Sequence, residues 1–152
     1  MNRSIINGVK IVKLNQIDHP KGMILHMIKK TSPEFKKFGE CYMSEINPGC
    51  IKAWKLHLKQ TQNISVPIGE IKVVLFDSRV KSSTYNILDE FSLGRPDNYD
   101  RLTIPPGIIY GFKCVSKESA IILNITDFQH DLNESQTLAL NDSKVPFNWK
   151  SI

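Results

Sequence analysis

Three cysteines in 152 residues, Cys41, Cys50 and Cys114, are too few and too far apart to make a disulfide framework. None stands in a C-x-x-C pair, which also removes a zinc knuckle, so reduced and mostly buried thiols are expected. The longest apolar runs, such as residues 73–76, are four residues long. A membrane-spanning helix needs about 20, so no membrane partner is expected. Residues 1–8 hold no apolar stretch of the kind a secretory leader requires, and the expected compartment is the cytoplasm. Charge of one sign is also missing as a block. Lys and Arg number 20 against 15 Asp and Glu, a formal +5, and the bases lie in small groups at Lys29-Lys30, Lys36-Lys37 and Lys52, Lys55 and Lys59. Without a basic run interleaved with aromatics, nucleic acid is not an expected partner; the bases read first as a solvated mixed surface, and second as a place for an anionic small ligand near Lys52, Lys55 and Lys59. G-x-S-x-G, phosphate-loop and G-x-G-x-x-G motifs are absent.

What is present is a rhythm of short Val-, Ile-, Phe- and Tyr-rich segments between Gly, Pro, Asn and Asp. It predicts strands over 9–14, 23–28, 39–46, 50–58, 63–66, 70–77, 85–93, 101–104, 109–115 and 120–127. Turns are marked by His19-Pro20-Lys21-Gly22, Asn47-Pro48-Gly49, Pro67-Ile68-Gly69, Gly94-Arg95-Pro96-Asp97 and Pro105-Pro106-Gly107. Short strands at this density point to an all-β sandwich or barrel. Ser32 as N-cap, Pro33 in the first helical position and Glu34 support one or two helical turns over 32–37. Val145, Phe147 and Trp149, at period two after a polar tail, are set to dock on the body. A chain of this size buries roughly 70% of its unfolded surface, so one domain over 1–152 with a single core is expected.

The informative stretch is Gly49-Cys-Ile-Lys52-Ala-Trp54-Lys55-Leu-His57-Leu-Lys-Gln-Thr-Gln62, running on to Gly69. Alternate residues on a strand share a face, so Lys55 and His57 both point to the barrel interior, Trp54 points away as a structural residue, and Gln62 returns on the next strand. The spacing between the two glycines resembles the first motif of the cupin superfamily. Pro105-Pro106-Gly107-Ile108-Ile109-Tyr110 is similar to its second, P-x-G-x-x-H. The positions that hold ligands in metal-binding members are here Lys55, His57, Gln62 and Tyr110. Lysine, glutamine and tyrosine make a poor divalent-metal set, and no metal or other cofactor is expected.

The flanks narrow the resemblance. Asp77-Ser78-Arg79-Val80-Lys81-Ser82-Ser83-Thr84 is similar to the D-x-R-x-x-S-P-T element of the dTDP-4-dehydrorhamnose 3,5-epimerase family, and residues 104–112 to its I-P-x-G-F-A-H-G-F. Asn141-Asp142 followed by Trp149, and residues 18–22, resemble two further elements of that family in the same order. The resemblance implies a cupin-type antiparallel jelly roll, a homodimer in the cytoplasm, and a nucleotide-linked 4-keto-6-deoxy sugar as substrate. Such an enzyme removes protons next to a ketone and returns them on the opposite face, for surface polysaccharide synthesis. The family uses a histidine base, an aspartate that orients it and a tyrosine acid. By spacing these fall at Lys55, Val73 and Asn124.

The residues themselves offer replacements. Lys55 in a dry barrel is a possible neutral base or an anchor for an anion, and His57, two residues away on the same face, shares that work. Tyr110 is an acid or an oxyanion donor. Lys52 is placed to meet a phosphate, and Gln62 and Asn124 to bind substrate as hydrogen-bonding liners. His19, His26 and His130 suggest no site. Two other readings stay open: a cupin that binds a sugar nucleotide or partner protein without catalysis, and a 3,4-ketoisomerase.

Overall fold

A computed structural model describes residues 3–152. The chain forms, in order, β1 (Lys10–Lys13), β2 (Gln16–His19), β3 (Gly22–Leu25), β4 (Glu40–Ile46), β5 (Ile51–His57), β6 (Gln62–Ile68), β7 (Glu70–Asp77), β8 (Leu88–Gly94), β9 (Asp100–Ile104), β10 (Ile108–Cys114), β11 (Ala120–Thr126) and β12 (Ser135–Thr137). One five-stranded sheet runs β1-β9-β6-β11-β4, a second β12-β5-β10-β7-β8, and β2 and β3 form a separate hairpin. Every pairing is antiparallel. The all-β architecture is the one that strand density and turn spacing predict, and the jelly roll is the form that the family resemblance implies.

The period of two explains how one strand serves two packing layers. In β7, Ile71, Val73 and Leu75 enter the main core between the sheets, while Val74 and Phe76 face outward. That outer face is covered by the C-terminal tail: Trp54, Ile109, Val145 and Trp149 pack with them, and Phe147 leans on the cluster. The apolar tail residues dock as expected, the last of them in a short 3-10 turn (Trp149–Ser151) capped by Asn148.

Several expectations are corrected. Residues 32–37 form turns and not a helix: the Phe35 N–H bonds the Ser32 carbonyl, and Glu34 and Lys36 are drawn to Arg101 and Thr61. Six residues without an apolar stripe do not overcome helix nucleation. Cys114 is buried, but Cys41 and Cys50 are exposed, because Cys41 has the outward parity of β4 and Cys50 follows the Gly49 turn. β2 and β12 were not expected; Gln-Ile-Asp-His and Ser-Gln-Thr have almost no apolar alternation to read. Residues 85–87 lie in a turn before β8, with Asn86 at φ 64.

The loop after β7 is organised by Asp77, whose side chain is fully buried. Its carboxylate accepts from Arg79 Nε and Nη2, each at 2.8 Å, from Thr84 Oγ1 at 2.7 Å and from the Arg79 N–H. Burial opposes the charge, but these bonds outweigh it and hold the Asp77 carboxyl far below the usual carboxylate range. The stabilisation is therefore present above the unfolded carboxylate pKa of about 4 and fades as pH falls toward the depressed folded value. Asp77→Asn is expected to lose about 3 kcal/mol at neutral pH, with the gap to wild type closing in acid; urea melts at pH 7 and pH 3 check this.

Candidate active site

The site begins with a fault in a ladder. Along β5 and β10, Tyr110 faces Lys55 and Phe112 faces Lys52, so Ala53 and Trp54 together oppose Gly111. This is a β-bulge, and it changes side-chain parity. Ala53 and Trp54 both turn to the outer cluster, while Lys52, Lys55 and His57 line one cavity on the inner side. Strict alternation would have sent Lys52 to the opposite face from Lys55. Gly111 is required for this close approach: a Cβ there would stand 2.5 Å from Ala53 Cβ and 2.9 Å from Trp149 Cζ2.

The cavity measures about 680 Å³ and opens between the two sheets, with Tyr42 of β4 on one side and His57 and Tyr110 on the other. His57 is 7% exposed and is held at both nitrogens. Nδ1 meets Glu134 Oε1 in a short contact, and Nε2 meets the Tyr110 hydroxyl at 3.0 Å. Glu134 also accepts from the N–H groups of Lys59 and Gln60; burial opposes its charge, but the His57 bond first and then these two N–H groups hold its carboxyl below the usual carboxylate range, so it is an acceptor for the Nδ1–H. Nε2 is then the basic nitrogen, and Tyr110 donates to it. Burial lowers the His57 pKa; Glu134 works against that shift, and Lys55 and His130 add to it. Burial pushes the Tyr110 phenol far up, keeping it a neutral donor.

Glu134 was not expected. It lies 77 residues from His57 in a polar tail, and reaches it because β12 pairs with β5 at Ser135 and His57. The one signal is a Ser-Gln-Thr of weak strand character after it. Val73, the position inferred for the orienting aspartate, is fully buried in the main core. Lys55 is half-buried and touches Thr137 Oγ1 at 3.4 Å, and among the described residues it forms no ion pair with a carboxylate. Lys52 spans to β4, with Nζ 2.8 Å from Ser44 Oγ. Gln62 and Asn124 are not among the residues lining the cavity: both are buried and bonded to each other at 2.6 Å, and Asn124 bonds the Tyr42 hydroxyl at 2.9 Å. His130, set aside from the sequence, lines the cavity, as does Tyr42. Tyr42 was legible only as an inward residue of a strand paired opposite Asn124. Among the described residues no cluster of three or more His, Cys, Asp or Glu is placed to share a metal ion.

The family model for dTDP-4-dehydrorhamnose 3,5-epimerase matches residues 3–152. The chain belongs to that family. A dTDP sugar isomerase from Desulfovibrio desulfuricans is 42% identical, with 97% of this chain and 94% of that one covered and a TM-score of 0.95. The spore coat polysaccharide biosynthesis protein SpsL of Bacillus subtilis is 29% identical over 97% of this chain and 98% of its own length. A dTDP-4-dehydrorhamnose 3,5-epimerase from Bacillus anthracis, 21% identical with a TM-score of 0.84 over 97% of this chain and 87% of its own, shares the epimerase-family fold. Family membership supports a sugar-nucleotide epimerase, and no helix among the described residues is long and apolar enough to cross a membrane.

Proposed function

We propose that this chain epimerises a nucleotide-linked 4-keto-6-deoxy sugar for polysaccharide synthesis, by removing a proton from carbon next to the ketone. The observation that carries the reading is the chain of contacts Glu134, His57, Tyr110 on the wall of a cavity of sugar size. Glu134 fixes the tautomer that leaves Nε2 basic. A substrate C–H arriving at Nε2 displaces the Tyr110 hydroxyl, which becomes a donor to the oxygen of the forming enolate. Buried and neutral, that phenol stabilises negative charge without transferring its own proton. His57 takes the proton in preference to Lys55, because a carboxylate orients it, whereas Lys55 is ion-paired with none among the described residues. Lys52 and Lys55 give the cavity the positive charge that suits the diphosphate of a sugar nucleotide. The name of the Bacillus subtilis relative favours polysaccharide synthesis. A cytoplasmic homodimer, as the family resemblance implies, completes the reading.

The test is incubation in deuterated water with dTDP-, UDP- and CDP-linked 4-keto-6-deoxyglucose, followed by proton NMR. Loss of the signal at C3, C5 or both, with a new epimer, is the expected result and reports the regiochemistry. Migration of the carbonyl to C3 would instead make it a ketoisomerase. Binding with no exchange would make it a module that holds the sugar nucleotide without chemistry.

A further inference from the structure

The cavity walls belong to different sheets. His57 and Tyr110 come from β5 and β10 in one, Tyr42 from β4 in the other. Inversion at carbon requires a proton removed from one face of the ring and another delivered to the opposite face. A base on one sheet therefore calls for an acid on the facing one. Tyr110 does not meet that need, since its hydroxyl sits 3.0 Å from the basic nitrogen on the same side.

Tyr42 is tied through Asn124 to a file of three buried amides, Gln60, Gln62 and Asn124, of which Gln60 also lines the cavity. Amide oxygen and nitrogen resemble each other, but both ends of this file are tied to backbone groups whose roles cannot be exchanged. At one end the Phe128 carbonyl only accepts, so Gln60 presents Nε2 to it at 2.7 Å. Gln60 Oε1 then accepts from Gln62 Nε2 at 2.7 Å, and Gln62 Oε1 from Asn124 Nδ2 at 2.6 Å. At the other end the Asn63 N–H only donates, and it takes Asn124 Oδ1 at 3.2 Å. The two anchors agree on one direction. Asn124 Nδ2 is thus also the donor to the Tyr42 hydroxyl at 2.9 Å, and the phenol accepts. A phenol has one hydrogen; with Asn124 donating to its oxygen, that hydrogen is free to point into the cavity.

We propose that Tyr42 is the catalytic acid that returns the proton, and that Gln60, Gln62 and Asn124 position it. This rests on the epimerase reading above. His57 Nε2 takes the proton from the carbon beside the ketone, and the C–H electron pair becomes the enolate. The enolate carbon then takes the Tyr42 proton on its opposite face, the ketone re-forms, and the O–H pair stays on the phenolate. Water restores both groups: it reprotonates Tyr42, which is 42% exposed, and removes the proton from His57. Burial, with Glu40 adding to it, pushes the Tyr42 phenol up against the effect of the Asn124 bond, so it carries its proton at neutral pH.

The test uses the full chain and dTDP-4-keto-6-deoxyglucose in deuterated water, comparing wild type, Tyr42→Phe and Asn124→Leu. NMR reads two rates in one sample: loss of the C–H signals beside the ketone, and appearance of inverted product. In Tyr42→Phe exchange is expected to persist while inversion falls about 10²- to 10⁴-fold, the usual contribution of a positioned acid. Asn124→Leu keeps the hydroxyl but frees its direction, so inversion falls by a smaller factor and exchange again persists. This second variant serves if the first does not fold. Inversion at the wild-type rate in Tyr42→Phe, or equal loss of both rates, overturns the assignment. Absence of exchange in the wild type overturns the epimerase reading and the inference with it.

Discussion

Replacing His57 by alanine is expected to abolish exchange and inversion together, lowering both by about 10²- to 10⁴-fold, with binding of the sugar nucleotide retained. The joint loss separates a base from the acid proposed above, whose removal spares exchange. Single-turnover deuterium wash-in on the variant checks it, and exchange at a tenth of the wild-type rate or faster would move the base to Lys55. The same residue sets the pH profile. The neutral imidazole is the active form, so kcat/KM falls on the acid side at the His57 pKa, which burial places below the ordinary histidine value. Glu134 raises that pKa against burial; Glu134→Gln is therefore expected to move the acid limb to lower pH. The plateau drops too, because an amide presents an N–H as readily as a carbonyl and no longer dictates the tautomer. A limb that moves upward, or stays in place, would remove Glu134 from its positioning role.

The largest stability effect is expected at Trp54. Its ring is 1% exposed, packs at 5.0 Å and a tilt of 39° against Trp149, meets Phe147 edge-on at 6.1 Å and bonds the Leu140 carbonyl through Nε1 at 3.2 Å. Trp54→Ala opens a void that the tail cannot fill, at about 3–5 kcal/mol, enough to lower Tm by roughly 10 °C for a domain of this size. Thermal melts by circular dichroism measure it. A shift under about 2 °C would mean that the tail-covered outer face contributes little to stability.

How much of this was legible depends on the range of the interaction that decides it. The strands that hold the main core read directly, because alternation over 70–77 and 120–127 is a local pattern. The inward direction of Lys55 and His57 followed from the same period. Residues 32–37 misled because cap and turn residues mark a helix start equally well when no apolar stripe follows. Glu134 was invisible for a different reason: its partner lies 77 residues away, and nothing local marks a carboxylate as a histidine's neighbour. Asn124, read as a liner, is buried and reaches the cavity through its bond to the Tyr42 hydroxyl, since a strand pattern tells which face a residue takes and not what stands in front of it.

Local sequence was enough for the all-β architecture, its turns, the docking of the tail and the inward placing of Lys55, His57 and Tyr110. All of these follow from periodicity, turn chemistry and motif spacing within a few residues. The tertiary structure alone decided that His57 has a carboxylate, that the β5 bulge brings Lys52 to the same wall, and that the file of amides aims Tyr42 from the facing sheet. Those depend on strand register and on contacts between segments far apart in the chain, 82 residues for Asn124 and Tyr42, where the identity of each partner is a property of the fold and not of its neighbours in the chain.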